Sequence, residues 1–482
     1  MGIGYIVIEA VSQALAAVRR KNDNMTGSEQ ATDVAIIGAG NIGIAVAYYL
    51  VTRHGAKRVQ LLDPGDPMAL TSAQSGENYR NWWPHPVMTA YTNHAIDLLE
   101  EIARASGNRI NMTRRGYALA TRREAPEDLI TELYRGYGES GNDRIRVQDG
   151  RSETLYKPAM SPEWDDAPDG VDVLTDRTLI RKHFPSLAPD IATILHIRRA
   201  GDISGQQLGQ FMLEAIKAAG GQVRRENVVA IDPGTPFRLA LEGPNGRSHL
   251  RADRIVNAAG PYFTHVAKML GEDLPVSCVY QQKISFEDVG QAIPRDLPFT
   301  IDLDEQELAW SEEERAELAS DPETATLLRV MPGGVHRRPD GGDHGRWIKL
   351  GWAYNATASD PFGEAPIDPN FPDIVIRGAS RLTPSLHQYL GRLPRGAHHY
   401  GGYYAMTPEN WPLIGPMRTS GAFLAGALSG FGTMASTATG AVCAAWLAGA
   451  ERPSYAPSLT LDRYDDQLLI AELRKSASKG VL

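Results

Sequence analysis

The chain has 482 residues, of which 42% are hydrophobic and 22% are charged, a balance typical of a globular protein large enough for two domains. It carries 49 Lys and Arg against 58 Asp and Glu, and no basic stripe interleaved with aromatic residues, so a nucleic-acid partner is not favoured. Its two cysteines, Cys278 and Cys443, lie outside any CxxC spacing and support neither a disulfide framework nor a zinc site. We therefore expect a cytoplasmic protein with a small-molecule ligand.

Residues 1–30 are predicted to be an extension outside the folded domains. Their short apolar stretch contains Glu9 and Gln13, and the basic residues Arg19 to Lys21 follow it. A bilayer span needs about 20 apolar residues, and a signal peptide carries its positive charge first. We expect neither stable membrane insertion nor secretion.

From Asp33 the sequence predicts alternating strands and helices. A strand over 33–39, a helix through Leu50 and a second strand ending at Asp63 form a βαβ unit. Apolar residues recur at helical spacing in 88–105 and 206–219. Further predictions are a buried strand that runs into a small-residue turn over 251–262, and strands in RGYALATRR, ISFEDV, LLRVMPGG and RWIKLGWAY. A polar hairpin or loop is predicted over 334–345, and finally the strand GAFLAGAL with a small-residue helix after it.

Three glycines mark a candidate nucleotide site. Gly38, Gly40 and Gly43 form a GxGxxG motif between the first strand and the first helix, where a backbone free of side chains lets a pyrophosphate reach the helix N-terminus. Asp63 follows Gly43 by twenty residues, a spacing suited to a carboxylate that binds a ribose. The alternative is a plain glycine-rich turn. The motif alone leaves NAD and FAD open.

A second glycine pair precedes the C-terminal helix. In SGFGTMAST, Gly430 and Gly432 leave room for a flat ring to meet backbone amides, and the positive end of the helix points towards that ring. The alternative is a helix that simply packs on a strand and needs glycine for clearance.

Other side chains are candidates for a reaction site. Lys349 lies in the apolar segment RWIKLGWAY, where a lysine is costly to bury unless it is paired or used; the alternative is an edge-strand lysine that faces water. Arg80 is a candidate clamp for a carboxylate, against an ordinary structural arginine. Trp82 and Trp83 are candidate walls of an apolar pocket. Tyr403 and Tyr404, in a predicted turn with Met406, are candidates for orienting an amine; the alternative is an aromatic pair in the core.

Five segments, in this order along the chain, resemble the D-amino-acid oxidase and sarcosine oxidase (DAO) superfamily of flavoproteins. They are VAIIGAGNIGIAVAYYL, AGDISGQQLGQFMLEAIKAAGGQVRRENVVAI, RIVNAAGPYFTHVAKMLGEDLPV, GGYYAMTPENWPLIGP and ALSGFGTMASTATGAVCAAWLAG. The chain is most similar to the monomeric sarcosine oxidase branch and to a branch that contains flavoprotein assembly factors. The resemblance implies FAD. The predicted FAD contacts are Gly38, Gly40, Asn41, Gly43, Asp63, Ser72, Val228, Ala259, Gly260, Gly430, Gly432, Thr433 and Met434.

The resemblance also implies an α/β fold class, with a Rossmann-like (GR2-type) FAD-binding domain and an inserted α+β substrate domain on a mostly antiparallel sheet. The predicted FAD-binding segments are 31–110, 196–275 and 396–482, the last with the C-terminal tail, and the predicted substrate-domain segments are 111–195 and 276–395. Lys349 is similar to the lysine of a KLG strand that helps dioxygen accept electrons in sarcosine oxidases. No histidine set with metal-ligand spacing is found, so no metal is expected.

Two departures from the sarcosine oxidase pattern alter the expectations. GYYAMT has no cysteine where those enzymes tether the flavin, so FAD is expected to bind noncovalently. Met434 stands where they carry a second carboxylate-binding lysine, which favours a larger or less acidic amine.

The predicted function is removal of a hydride from the carbon next to an amine, in a D-amino acid, an N-methyl amino acid or a related secondary amine, with dioxygen as acceptor. The alternatives are a dehydrogenase that passes electrons to a quinone or protein, and a flavoprotein assembly factor or scaffold. The sequence is silent on oligomeric state.

Overall fold

A computed structural model describes residues 30–151, 155–159, 163–322, 324–342 and 344–475. The predicted N-terminal extension, apart from Gln30, therefore lies outside the described residues.

The strands, in chain order, are β1 (Gln30–Ile37), β2 (Val59–Asp63), β3 (Asn78–Arg80), β4 (Tyr117–Thr121), β5 (Ile145–Gln148), β6 (Val171–Leu174), β7 (Thr193–Ile197), β8 (Ala200–Asp202), β9 (Gln222–Arg225), β10 (Asn227–Asp232), β11 (Phe237–Gly243), β12 (Gly246–Asn257), β13 (Ser277–Glu287), β14 (Phe299–Asp302), β15 (His336–Asp340), β16 (Trp347–Gly351), β17 (His398–Met406), β18 (Leu413–Pro416) and β19 (Ala422–Gly426).

The α-helices are α1 (Asn41–Arg53), α2 (Pro86–Ser106), α3 (Glu127–Tyr137), α4 (Gly141–Arg144), α5 (Arg177–His183), α6 (Gly205–Ala218), α7 (Phe263–Met269), α8 (Glu312–Ala319), α9 (Phe371–Leu382), α10 (Gly432–Ala448) and α11 (Gln467–Lys475). None of the described helices combines the length and apolar character needed to cross a membrane.

The first sheet has a parallel centre. Strands β12, β1, β2 and β9 lie side by side in parallel. β19 also pairs in parallel with the C-terminal end of β12. β10 and β11 form an antiparallel meander with β12, while β18 pairs antiparallel with β19. The last four residues of β1 are buried, as expected for a strand that helices cover. The carboxyl ends of β1 and β2 carry the glycine motif and Asp63.

The second sheet has nine strands in the order β17-β13-β16-β15-β14-β4-β7-β6-β5. Only the β14–β4 and β5–β6 pairs are parallel. The predicted α/β class with a second, mostly antiparallel sheet is therefore confirmed. β17 belongs to this sheet, although it lies within the segment 396–482 that was predicted to be part of the FAD-binding domain. The domain limits therefore stay a prediction.

Three local predictions are corrected. LLRVMPGG is not a strand. Residues Thr324–Leu328 form a 3-10 turn, Val330 is exposed, and Met331 makes only an isolated bridge to Gln306. The hairpin alternative is right for 334–345, which contribute β15 and its turn into β16. Tyr403 and Tyr404 lie in strand β17 rather than in a turn, because β17 pairs with β13 along its length.

Helix α10 connects the C-terminal part of the chain to its beginning. It is buried along nearly its whole length and packs against α1 and α2. At the crossing with α1, a Cβ on Gly440 would lie 2.5 Å from the carbonyl carbon of Ala45, so only glycine permits this approach. This packing brings the first turns of α1 and α10 to one cavity.

Candidate active site

Three adjoining cavities lie between the two sheets, and we call them outer, middle and inner. Their volumes are about 490, 110 and 310 Å³ respectively. The outer and middle cavities share Gly40, Ser72 and Gly260 as wall residues. The middle and inner cavities share Lys283 and Tyr404. Together they form a site long enough for an extended cofactor with a second ligand at one end.

The glycine motif forms one wall of the outer cavity. Gly38 has a φ of 110°, which favours glycine, and a Cβ there would lie 2.3 Å from the carbonyl oxygen of Ala258. A Cβ on Gly43 would lie 2.1 Å from the carbonyl oxygen of Gly38, so Gly43 sets the contact between α1 and the β1 turn. Gly40 caps α1 without a side-chain hydrogen bond of its own, although the Asn41 N–H donates to Ser72 Oγ at 3.1 Å. An anion could therefore bind through the other N–H groups of this first turn.

Asp63 lies where the ribose prediction placed it, at the end of β2 in the wall of the outer cavity. Its Oδ2 accepts a hydrogen bond from the Ala39 N–H at 2.8 Å, and its Oδ1 accepts one from the Gly65 N–H at 2.9 Å. These bonds fix the carboxylate, and each oxygen retains a further lone pair for a hydroxyl.

The middle cavity contains polar groups without partners. The Thr71 hydroxyl in its wall is buried and lacks a hydrogen bond. The Asn41 amide also lacks one, but it lies against Gly205 and Gly209 of α6. Helix α10 also begins here without a side-chain cap, and a Cβ on Gly430 would lie 2.6 Å from the Tyr404 ring. Buried polar groups of this kind are normally satisfied, so the cavity fits a flat polar ligand. The isoalloxazine of FAD has that shape and chemistry.

Arg80 lies in the wall of the inner cavity, at the end of β3. It is only 2% exposed, and none of its three guanidinium nitrogens has a hydrogen-bond partner among the described residues. The guanidinium carbon lies 5.1 Å from the ring centre of Trp83 and 5.2 Å from that of Tyr117. Burial lowers the pKa of Arg80 and the neighbouring Tyr117 hydroxyl opposes that shift, but an arginine keeps its charge at neutral pH. A buried, unpaired cation of this kind calls for an anionic ligand.

Lys283 is a second cation in the same wall, and it also borders the middle cavity. It is 6% exposed, and its Nζ donates a hydrogen bond to the Tyr404 hydroxyl at 3.3 Å. No carboxylate in the described part of the chain forms an ion pair with it. Lys283 therefore places a positive charge in the cavity that Met434 lines, where the resemblance led us to expect one cation fewer.

Lys349 has different surroundings. Its Nζ lies 3.2 Å from Glu77 Oε2 and 3.5 Å from Asp340 Oδ1, and it borders none of the three cavities. β16 pairs Lys349 with Ser285 and Gly351 with Lys283, so Lys349 lies on the same sheet face but two residues further along. Two residues of strand span about 6.6 Å.

Most of the predicted site residues lie along the three cavities. The outer cavity contains Gly38, Gly40, Asp63, Ser72, Val228, Ala259 and Gly260; the middle cavity adds Asn41, Tyr403, Tyr404, Gly430, Gly432 and Thr433; and the inner cavity adds Arg80 and Met434. Gly43 acts through helix packing and Lys349 lies apart. Trp83 lines the inner cavity, whereas Trp82 packs in a neighbouring core cluster.

Several residues of these walls were not predicted. Tyr117, Lys283 and His336 line the inner cavity, and Phe362 covers the outer cavity beside Tyr262. Lys283 had a usable signal, because it is a lysine in the apolar strand VYQQKISF. His336 and Tyr117 had no such signal in the sequence, since strand pairing alone brings them to the cavity.

Residues 33–446 match the DAO family, described as FAD dependent oxidoreductase. The match covers most of the chain, so the protein belongs to this family of FAD-dependent oxidoreductases. Its cofactor is accordingly FAD, and the family resemblance read from the sequence is confirmed.

Two curated relatives are mitochondrial dimethylglycine dehydrogenases. The chain is 21% identical to the human protein over 438 residues, and 24% identical to the rat protein over 276 residues. The matches cover 90% and 56% of this chain but only 44% and 29% of those relatives. The chain thus spans less than half the length of either. This weak likeness is consistent with the sarcosine oxidase-like branch.

Solved structures show the same fold. L-Proline dehydrogenase from P. horikoshii is similar with a TM-score of 0.68 and 15% identity, covering 91% of this chain and 98% of that one. Glycine oxidase from Geobacillus kaustophilus is similar with a TM-score of 0.66 and 17% identity, covering 90% of this chain and 99% of that one.

Proposed function

We propose that this FAD-dependent oxidoreductase oxidises an amino acid at the carbon next to its amine. The observation that carries the proposal is the buried Arg80 guanidinium, unpaired in a cavity that adjoins the predicted ring site. Relatives of the same family or fold are named as dehydrogenases or oxidases of amino acids, such as dimethylglycine and L-proline dehydrogenases and glycine oxidase.

Arg80 is proposed to bind the substrate carboxylate through its planar fork of N–H donors. The Trp83 and Tyr117 rings, which flank the guanidinium, hold its plane and keep water from it. The Lys283 charge adds attraction for a carboxylate on the side nearer the middle cavity. A substrate with one or two carboxylates suits this pair better than a simple amine.

FAD, when bound, accepts the hydride that leaves the α-carbon as that carbon–hydrogen bond breaks. As the hydride leaves, the nitrogen lone pair of the neutral amine forms the carbon–nitrogen double bond of an iminium ion. The iminium ion loses a proton to solvent to give the imine, which water hydrolyses. The chain's own contribution is orientation and charge: Arg80 fixes the carboxylate end, so the α-carbon is presented at the boundary with the middle cavity. A substrate that binds as the neutral amine requires no strong base.

We further propose dioxygen as the electron acceptor. A fixed positive charge near the ring would stabilise the negative charge that develops on dioxygen. The geometry favours Lys283 over Lys349 for this role, because Lys283 borders the middle cavity without a carboxylate partner, whereas two carboxylates offset the charge of Lys349.

The test uses the purified yellow holoenzyme and a panel of D- and L-amino acids, N-methyl amino acids and simple amines added without oxygen. We expect an amino acid to bleach the flavin absorbance at a rate that saturates with concentration, and air to restore it within seconds. Arg80→Lys should weaken carboxylate-bearing substrates at least tenfold more than simple amines, since an ammonium lacks the planar fork.

Each alternative gives a different result. Bleaching that only an added quinone or electron-carrier protein reverses would make the protein a dehydrogenase. No bleaching by any member of the panel would contradict the proposal and favour a scaffold role for the bound FAD.

A further inference from the structure

Three neighbouring strands place one residue each in a row across the wall of the inner cavity. β13 and β16 pair Lys283 with Gly351, and β16 and β15 pair Gly351 with His336. Directly opposed residues of antiparallel strands point to the same face of the sheet. Lys283 and His336 both line the inner cavity, so this row forms part of its floor.

Gly351 makes the row possible. A Cβ on Gly351 would lie 2.4 Å from His336 Nε2 and 3.1 Å from Lys283 Cγ. Any side chain here would push the imidazole aside. The glycine therefore lets the His336 ring lie across β16 towards Lys283.

The backbone fixes which imidazole nitrogen is protonated. His336 Nδ1 lies 3.0 Å from the carbonyl oxygen of Gly334, which only accepts hydrogen bonds. Nδ1 must therefore carry the hydrogen and donate it, so Nε2 keeps its lone pair. Nε2 has no hydrogen-bond partner among the described residues.

The surroundings of the ring also keep it neutral. The pKa of His336 is lowered to about 4, first by burial, against the opposing hydrogen bond to Gly334, and to a smaller extent by the charges of Lys283 and Arg338. The ring is thus a permanent hydrogen-bond acceptor at neutral pH. It is too weak a base to remove the proton of an ammonium group.

We propose that His336 Nε2 accepts a hydrogen bond from the N–H of the substrate amine, so that the site prefers primary and secondary amines to tertiary amines. The proposal rests on the proposed function and narrows its substrate class. Hydride removal requires the neutral amine, because the nitrogen lone pair forms the imine bond. A neutral tertiary amine has no N–H to donate, and an Nε2 without hydrogen cannot donate in its place.

The first test compares kcat/KM for N-methylglycine and N,N-dimethylglycine in the holoenzyme. We expect at least a tenfold preference for N-methylglycine, the factor that a hydrogen bond of about 1.4 kcal/mol contributes. His336→Phe keeps a ring of similar size without the acceptor and should reduce the preference at least tenfold relative to the wild type. His336→Gln, whose side-chain oxygen accepts, should retain part of it. Equal preference in all three proteins would overturn the proposal.

A binding measurement separates this inference from the proposed function. Pyrrole-2-carboxylate and 2-furoate have the same shape and the same carboxylate, but only the pyrrole has an N–H. Their Kd values follow from the change in flavin absorbance and require no turnover. We expect the pyrrole to bind about tenfold more tightly than the furan in the wild type, and equally in His336→Phe.

The outcomes are distinct. Equal binding of both acids to the wild type, with amino acids still bleaching the flavin, would remove the role of His336 and leave the proposed function intact. Failure of both acids to bind and of every amine to bleach the flavin would overturn both.

Discussion

The two ends of the cavity system would hold their ligands by different means. The outer and middle cavities offer backbone N–H groups at the uncapped starts of α1 and α10, with glycine keeping side chains away. The inner cavity offers charged side chains, Arg80 and Lys283, that have no carboxylate partner among the described residues. We therefore expect substitutions that add side-chain atoms to weaken ligand binding at the cofactor end. In the inner cavity we expect substitutions that remove a charge to weaken it.

The largest effect is expected from Arg80→Met. Removing a buried partner of a charge pair costs about 2–5 kcal/mol in binding, so kcat/KM for an amino-acid substrate should fall about 30-fold or more. The ligand-free protein should be no less stable, because an unpaired buried charge leaves the interior. Steady-state kinetics and thermal unfolding measure the two effects.

Arg463→Met is the matched control for this variant. The Arg463 guanidinium is also buried but lies 2.6 Å from the buried carboxylate of Glu409. Breaking such a pair destabilises a protein by about 3–5 kcal/mol. If Arg80→Met lowered the melting temperature as much as Arg463→Met, Arg80 would be a structural arginine and the contrast between the two cavity ends would fail.

At the cofactor end, adding one methyl group should be enough to weaken FAD binding. In Gly43→Ala the new Cβ would collide with the Gly38 carbonyl oxygen, and overpacking of this kind costs about 1–3 kcal/mol. We expect FAD binding to weaken about tenfold, measured by titration of the apoprotein. Gly363→Ala is the control, because its Cβ would lie 3.5 Å from the nearest atom, the Asp360 carbonyl oxygen, and Gly363 borders none of the three cavities. Equal loss of FAD from both variants would contradict the packing argument.

The two lysines on one sheet face allow a finer comparison. Lys283→Met should slow reoxidation of the photoreduced enzyme by air at least tenfold, which corresponds to about 1.4 kcal/mol of activation free energy. The reason is that it removes an uncompensated charge beside the middle cavity. Lys349→Met should change that rate less than about threefold, because Glu77 and Asp340 already offset its charge. Stopped-flow mixing with air-saturated buffer measures both. The reverse order would return the oxygen role to Lys349.

Most of the residues at the cofactor end could be predicted from the sequence, because they lie close to one another along the chain. The glycine motif and Asp63 lie within a single βαβ unit, so their spacing determines their positions. Arg80 was predicted for a related reason, as it follows the second strand of that unit. The fold class followed from the order of strand and helix patterns and from the resemblance.

The floor of the inner cavity could not be read in the same way. Lys283, His336 and Gly351 are separated by up to 68 residues and meet only through the pairing of β13, β16 and β15. A shift of two residues in that pairing would exchange Lys283 for Ser285 at the cavity, and nothing local fixes the register. The strand signal in RWIKLGWAY was right, but it could not show that carboxylates from other segments surround Lys349.

The smallest predicted effect concerns the acid sensitivity of the inner cavity. His336 has an ordinary pKa near 6.5 when unfolded and a pKa of about 4 in the folded protein, lowered first by burial. The unfolded state therefore binds more protons between these values, so stability is complete above pH 6.5 and declines as the pH falls towards 4. From pH 7 to pH 6 this histidine should cost about 0.7 kcal/mol of unfolding free energy. His336→Gln has no such group. Between pH 7 and pH 6 its unfolding free energy, measured with urea, should therefore fall by about 0.7 kcal/mol less than that of the wild type. Parallel changes in the two proteins would mean that water or a ligand already solvates the ring, and the inner cavity would lose its neutral acceptor.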